Sequence, residues 1–209
     1  MNKNVLEKNK IDKFKDIFIK KKDHLRKEFY KHHKAIKTCK NISETSDEFL
    51  KKLFSCFAKK NKKVSRSISI CAVGGYGRKQ LAPFSDLDLL FLYSNDVNIK
   101  EVEEFIQFFT YPLWDLQLKI GYAVRSEKEA IDLSMKDHVI KTSMLDARFI
   151  CGSKKIFKDT IYKFSSEVRT SGYDLLKDKI AERKEKLVDL GYDYFRNEPN
   201  IKESEGSLR

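Results

Sequence analysis

Ile11, Phe14, Phe18, Leu25, Phe29 and Ile36 recur among lysines at roughly helical intervals, which predicts an amphipathic helix over 5–37 on the outside of a domain. Thr45-x-x-Glu48 has the form of a capping box and predicts that a second helix opens there, turning Phe49, Leu50, Leu53, Phe54 and Phe57 inward. The period then changes. Residues 67–73 alternate and run into glycines, a strand entering a turn. Residues 86–93, Asp-Leu-Asp-Leu-Leu-Phe-Leu-Tyr, predict a second, largely buried strand closed by Ser94-Asn95-Asp96. Val102, Phe105, Ile106 and Phe109 mark a helix over 99–110 that Pro112 should end or kink. Residues 115–124 alternate again and give a third strand. Beyond them the pattern reads as wholly helical, opened by a capping box at Ser126-x-x-Glu129 and punctuated by Gly152 and Gly172. Residues 197–209 are polar and irregular. The order predicts an α+β fold, a small mixed sheet flanked by helices with a C-terminal helical bundle. Its expected parts are a basic helical segment (1–63), a strand-rich core (64–125) and a helical extension ending in a polar tail (126–209).

Composition adds limits. An apolar share of 41% in 209 residues suffices for a core, and 35% charged residues fit a soluble chain. No apolar run is long enough to predict a membrane-spanning helix. No apolar signal region follows Met1, so a cytoplasmic setting is expected. Cys39, Cys56, Cys71 and Cys151 form no Cys-x-x-Cys pair and read as reduced thiols, while the four histidines lack zinc-ligand spacing. The formal charge of +12 is unevenly placed: residues 1–63 hold 20 Lys and Arg against 8 Asp and Glu, whereas 64–209 hold 23 of each. Such a segment either steers anions or is simply a solvated helix face. It carries no aromatic-and-glycine recognition motif, so nucleic acid is not the expected partner.

The chemistry concentrates in residues 72–92. Gly74 and Gly75 directly follow a strand, where missing Cβ atoms let backbone N–H groups approach phosphate oxygens. Arg78 adds a fixed cation with several donors. Asp86 and Asp88 are two apart on a strand, so both carboxylates project from one face. Paired carboxylates facing a phosphate cradle repel unless cations lie between them, and hard oxygens suit Mg²⁺. Two such ions can activate an attacking oxygen and stabilise departing pyrophosphate. A lone Gly-Gly is usually a turn and a lone Asp-x-Asp a strand end; together, at this spacing, they point to nucleotidyl transfer from a nucleoside triphosphate.

The stretch resembles the active-site motif of the DNA polymerase β-like nucleotidyltransferase superfamily. More closely, Val73-Gly-Gly-Tyr-Gly-Arg-Lys-Gln-Leu-Ala-Pro-Phe-Ser-Asp-Leu-Asp-Leu-Leu is similar to the family of bifunctional PII uridylyltransferase/uridylyl-removing enzymes. The likeness continues through residues 113–125, 145–152 and 198–209. It implies a polymerase β-like fold, with Asp86 and Asp88 binding two Mg²⁺ ions, and Gly74, Gly75 and Arg78 holding UTP. The implied reaction moves UMP to a tyrosine of the PII signalling protein. Other expectations stay open: a different nucleotide or target, or a non-catalytic piece of a longer enzyme. Where the family has glycine after the arginine, this chain has Lys79, and Ser204, Glu205 and Ser207 replace Gly, Lys and Gly in the last block. No His-Asp pair occurs, so the hydrolase of the removing activity is expected to be absent.

Four further residues bear on the site. Asp115-Leu-Gln-Leu-Lys resembles the Asp-Leu-Arg-Leu-Arg of the related adenylyltransferases, which implies a third catalytic and metal-binding carboxylate; the alternative is a strand-end aspartate capping a turn. Arg148, on a predicted helix, needs either a nucleotide phosphate or a structural carboxylate. Ser85 either donates to a phosphate or is a turn residue. Trp114 reads as core.

Overall fold

The alternating stretch after residue 67 becomes β1 (Ile68–Ala72), and the Asp-Leu-Asp-Leu run becomes β2 (Leu87–Tyr93). The computed structural model describes residues 3–170 and 172–189. β3 (Ile120–Ser126) and β4 (Arg148–Gly152) complete a sheet of order β3-β2-β1-β4. β1 is antiparallel to β2 and β4, whereas β2 and β3 run parallel, so the sheet is mixed. A parallel pair needs a crossover. Helix α5 (Ile99–Asp115) supplies it, following helices α1 (Lys3–His32), α2 (Ala35–Lys60), α3 (Lys62–Arg66) and the short α4 (Gly74–Gly77). After β3 come α6 (Glu127–Lys136) and α7 (His138–Leu145), and after β4 come α8 (Lys154–Thr170) and α9 (Gly172–Asp189).

The period-2 geometry of β2 sorts its residues. Leu87, Leu89 and Phe91 share the main core with Ile68, Ile70 and Ala72, covered by Phe49, Leu53 and Phe57 of α2 and Phe105, Phe109 and Leu113 of α5. Phe105 sits edge-on to both Phe57 (ring centroids 4.8 Å apart) and Phe91 (6.0 Å). Asp88, Leu90 and Leu92 alternate onto the other face, and α6 packs against β2 and β3. Helix α1 adds Phe18, 5.0 Å from Phe49, to the core, so part of the basic segment is a packed helix as well as a charged one.

Several sequence expectations are corrected. The chain is not wholly helical after the third strand: residues 148–152 form β4, placing Arg148 on a strand. The run Arg-Phe-Ile-Cys-Gly is too short to display a period, and Gly152 (φ +95°) closes it. Helix α5 passes through Pro112 and ends only at Asp115, because burying Leu113 offsets the missing backbone donor. The third strand therefore begins at Ile120, and Asp115 closes a helix. Trp114 is exposed, its ring edge-on to Tyr111, so the core placement fails. Thr45 does not cap a helix; α2 begins at Ala35, after a break at His33 (φ +52°), and Thr45 lies buried within it. The capping box at Ser126 and Glu129 forms as predicted, with both reciprocal bonds present.

The chain divides into two compact units, Met1–Phe164 and Ser165–Arg209. Within the second unit, α9 carries an i,i+3 pair of Lys179 and Glu182 at 2.6 Å. The terminal block 198–209, with Lys202 and the three substituted positions, lies outside the described residues. Among the described residues no helix is long and apolar enough to cross a membrane.

Candidate active site

The site forms where β1 meets the glycines. With no side chain at Gly74 and Gly75, the chain turns directly from β1 into α4, and Gly74 takes φ +56°, a conformation that favours glycine. The N–H groups of Gly74 and Gly75 lie in the first turn of α4, where a helix offers no acceptor of its own. Val73 N–H donates to the Asp88 carbonyl at 3.0 Å, tying the start of the turn to the strand that carries the carboxylate.

Asp88 stands between two positions without side chains. A Cβ on Gly74 would lie 3.4 Å from its Oδ2, and a Cβ on Gly121 only 2.8 Å from its Oδ1. Gly121 is the register partner of Asp88 on β3, so the strand neighbour leaves the carboxylate room and contributes no charge. Asp86, expected on one strand face with Asp88, instead lies one residue before β2 and is exposed, as is Ser85, whose N–H donates to Ala82 O at 3.1 Å in the preceding turn.

The other expected residues are placed differently. Arg78 is half exposed, its guanidinium paired with Asp146 and hydrogen-bonded to Gln80 at 3.2 Å. Arg148 spends its fork on protein: Nη1 and Nη2 donate to the Asp47 carboxylate (2.6 and 3.1 Å), Nε to Gly77 O (3.0 Å) and Nη2 to Tyr76 O (3.1 Å). Of its two possible partners, it has taken the structural carboxylate. Asp115 accepts from Lys15 of α1 at 2.9 Å. It terminates α5, which covers the Leu89 and Phe91 face of the sheet, whereas Asp88 is on the other. The structure thus groups Asp88 with the glycine turn and leaves Asp115 outside that group. Among the described residues no cluster of three potential metal ligands occurs.

Three residues of the site escaped the sequence reading. Asp47 is buried on α2 and also accepts from the Tyr76 hydroxyl at 2.8 Å. Burial, and then the Asp47 carboxylate, push that hydroxyl well above its usual value. Its neighbours on α2 serve the same loop: Ser43 Oγ accepts from Leu81 N–H (3.2 Å) and Glu44 pairs with Lys79 (3.2 Å). The sequence signal was the polar run 43–48 between apolar turns, which imitates a cap. Asp146, two residues before Arg148, approaches so closely that a Cβ on Gly77 would run into its carbonyl oxygen. Gly121 had no signal beyond being a glycine inside a strand pattern.

This geometry agrees with the comparisons. The nucleotidyltransferase domain family matches residues 50–150, a span that holds the turn, the carboxylates and β1 to β3. Residues 50–150 are a nucleotidyltransferase domain. The chain is 36% identical over 183 residues to the bifunctional uridylyltransferase/uridylyl-removing enzyme of Phenylobacterium zucineum, covering 84% of this chain and 19% of that one. It is 35% identical over 181 residues to the enzyme of the same name from Caulobacter vibrioides, with the same coverage of each. The Azospirillum brasilense enzyme is 42% identical over 141 residues, 67% of this chain and 15% of that one. The chain thus spans about a fifth of the length of the first of these relatives.

Proposed function

We propose that this chain transfers UMP from UTP to a tyrosine hydroxyl of a PII-type signalling protein, with Mg²⁺ as cofactor and pyrophosphate as the second product. The observation that carries the reading is the Asp88 carboxylate set between Gly74 and Gly121 at the mouth of the glycine turn. A phosphate chain needs close approach to backbone N–H groups and to a carboxylate-bound cation, and two missing Cβ atoms leave space for both. The uridylyltransferase names of the relatives support the choice of UTP.

Asp86 and Asp88 supply the hard oxygen donors that fit Mg²⁺, and they would hold it. When bound, the ion neutralises the triphosphate and activates the attacking oxygen. Gly74 and Gly75 offer N–H donors to the phosphates. Arg78 exchanges Asp146 for a phosphate oxygen, a move its half-exposed position permits. The tyrosine hydroxyl gives up its proton to water, and its oxygen forms a bond to the α-phosphorus as the bond to pyrophosphate breaks. A cytoplasmic setting fits the four free thiols.

A second reading, a domain that binds the nucleotide without transferring it, draws on the lack of a third clustered ligand among the described residues. Incubation with a PII protein, Mg²⁺ and each nucleoside triphosphate in turn, followed by intact mass, separates the two. A uridylyl adduct formed with UTP supports transfer. Tight UTP binding without any adduct supports the second reading, and an adduct only with ATP reassigns the base.

A further inference from the structure

The glycine turn is gripped from outside by two elements that carry no proposed ligand. Arg148 of β4 donates to the carbonyls of Tyr76 and Gly77, the last two residues of α4. Its guanidinium also lies over the Tyr76 ring, 5.4 Å from the centroid. Asp47 of α2 holds that guanidinium with both carboxylate oxygens and accepts the Tyr76 hydroxyl. Asp47 keeps only 9% of its side-chain surface and Arg148 22%, so the pair is shielded from competing water. Exposed ion pairs contribute little to stability. A mostly buried, bidentate pair with two extra carbonyl bonds fixes geometry, because both partners are held in one orientation.

We infer that Asp47 and Arg148 are positioning residues, which set the affinity for the triphosphate by fixing the carbonyl side of the turn whose N–H side receives it. The inference rests on the proposed nucleotide site. The planar peptides of the turn are tied to one another by Gly77 N–H to Val73 O (3.0 Å), Arg78 N–H to Gly74 O (3.1 Å) and Gln80 N–H to Gly75 O (2.8 Å). Holding the carbonyls of Tyr76 and Gly77 therefore fixes where the N–H groups two and three residues earlier point. The two residues act through the turn, and Asp86 and Asp88 are untouched by them. Loss of the grip weakens nucleotide binding and leaves the turnover of bound nucleotide nearly unchanged.

The test uses the full chain and three variants. Arg148→Lys keeps the charge and cannot span Asp47 and two carbonyls at once. Asp47→Asn keeps the shape and one acceptor, and serves if the lysine variant does not fold. Phe164→Leu, in a fully buried position on α8, is a control for simple destabilisation. Magnesium–UTP affinity by calorimetry should fall about tenfold or more in either grip variant, with kcat toward a PII protein within about threefold. The control should lose thermal stability to a similar degree and bind like the wild type. Amide exchange in the absence of nucleotide should quicken at Arg78, Gln80 and Leu81 in the grip variants only. Wild-type affinity in a folded grip variant, or an equal loss in the control, overturns the inference. If the wild type itself binds no magnesium–UTP, the proposed function falls. The exchange measurement then still decides whether Asp47 and Arg148 hold the turn.

Discussion

At Asp88 the side chain that matters most to its setting is one that is missing. A Cβ at position 121 would stand 2.8 Å from Oδ1, closer than real Cβ atoms tolerate, so Gly121→Ala must push the carboxylate aside. Transfer should drop about tenfold or more from that displacement, while the melting temperature moves by only a few degrees. Steady-state rates beside a thermal melt check both halves. Lys79 offers a second single-residue test. It takes φ +59° where the resembling family has glycine, and a side chain in the left-handed region costs roughly 1–2 kcal/mol. Its exposed pair with Glu44 returns little of that. Part of the gain from Lys79→Gly is lost to the greater freedom of the unfolded chain. Denaturant melts should therefore show a net rise of about 0.5–1 kcal/mol, and a fall would contradict the assignment of strain. Whereas Asp86 falls one residue before the strand it was expected to share, Asp88 and the glycine turn were legible because strand alternation and a Gly-Gly turn are local signals. Gly121, Asp47 and Asp146 were not, because their roles exist only through partners dozens of residues away.

Elements were misread where two packing causes give one pattern. Leu116, Leu118, Ile120 and Val124 all pack at least partly against the core, so their alternation is real. The first two do so from the connection after α5, and the strand proper starts later. That shift carries Asp115 away from the position across from Asp88, which Gly121 occupies. Asp115→Asn should accordingly leave transfer within about twofold and cost no more than about 1 kcal/mol, the usual range for an exposed pair such as Lys15–Asp115. A rate loss of about 10²-fold, the scale of general-base help, would instead assign Asp115 to the chemistry. Helix α2 shows the same ambiguity. Its run Ser43-Glu-Thr-Ser-Asp47-Glu reads as a helix start because such residues favour caps. In the fold it is the flank of a continuous helix turned toward the glycine loop.

For the molecule as a whole, the sheet's interior sets an alkaline limit. Burial pushes the Cys71 thiol up to about 12 from 9.0, and Tyr76 also lies well above its ordinary 10.0. Both groups hold their protons more tightly folded than unfolded. Their contribution is complete below pH 9, where the unfolded thiol is still protonated, and is lost as pH climbs toward 12. Melting temperatures should therefore fall steadily above pH 9, and Cys71→Ala should flatten the first part of that fall. An unchanged slope would place the cause elsewhere. The sequence revealed the architecture of a few strands between helices and the place of the glycine turn between β1 and β2. It could not reveal which helices close over the turn, since long-range packing leaves no periodic trace. Uridylyl transfer through Asp88 is probed without intermediaries by the intact mass of a PII protein after incubation with UTP, Mg²⁺ and this chain, wild type beside Asp88→Asn. The wild type should add one uridylyl increment per modified tyrosine and the folded variant none; an equal increment from both would refute the assignment of Asp88 to the chemistry.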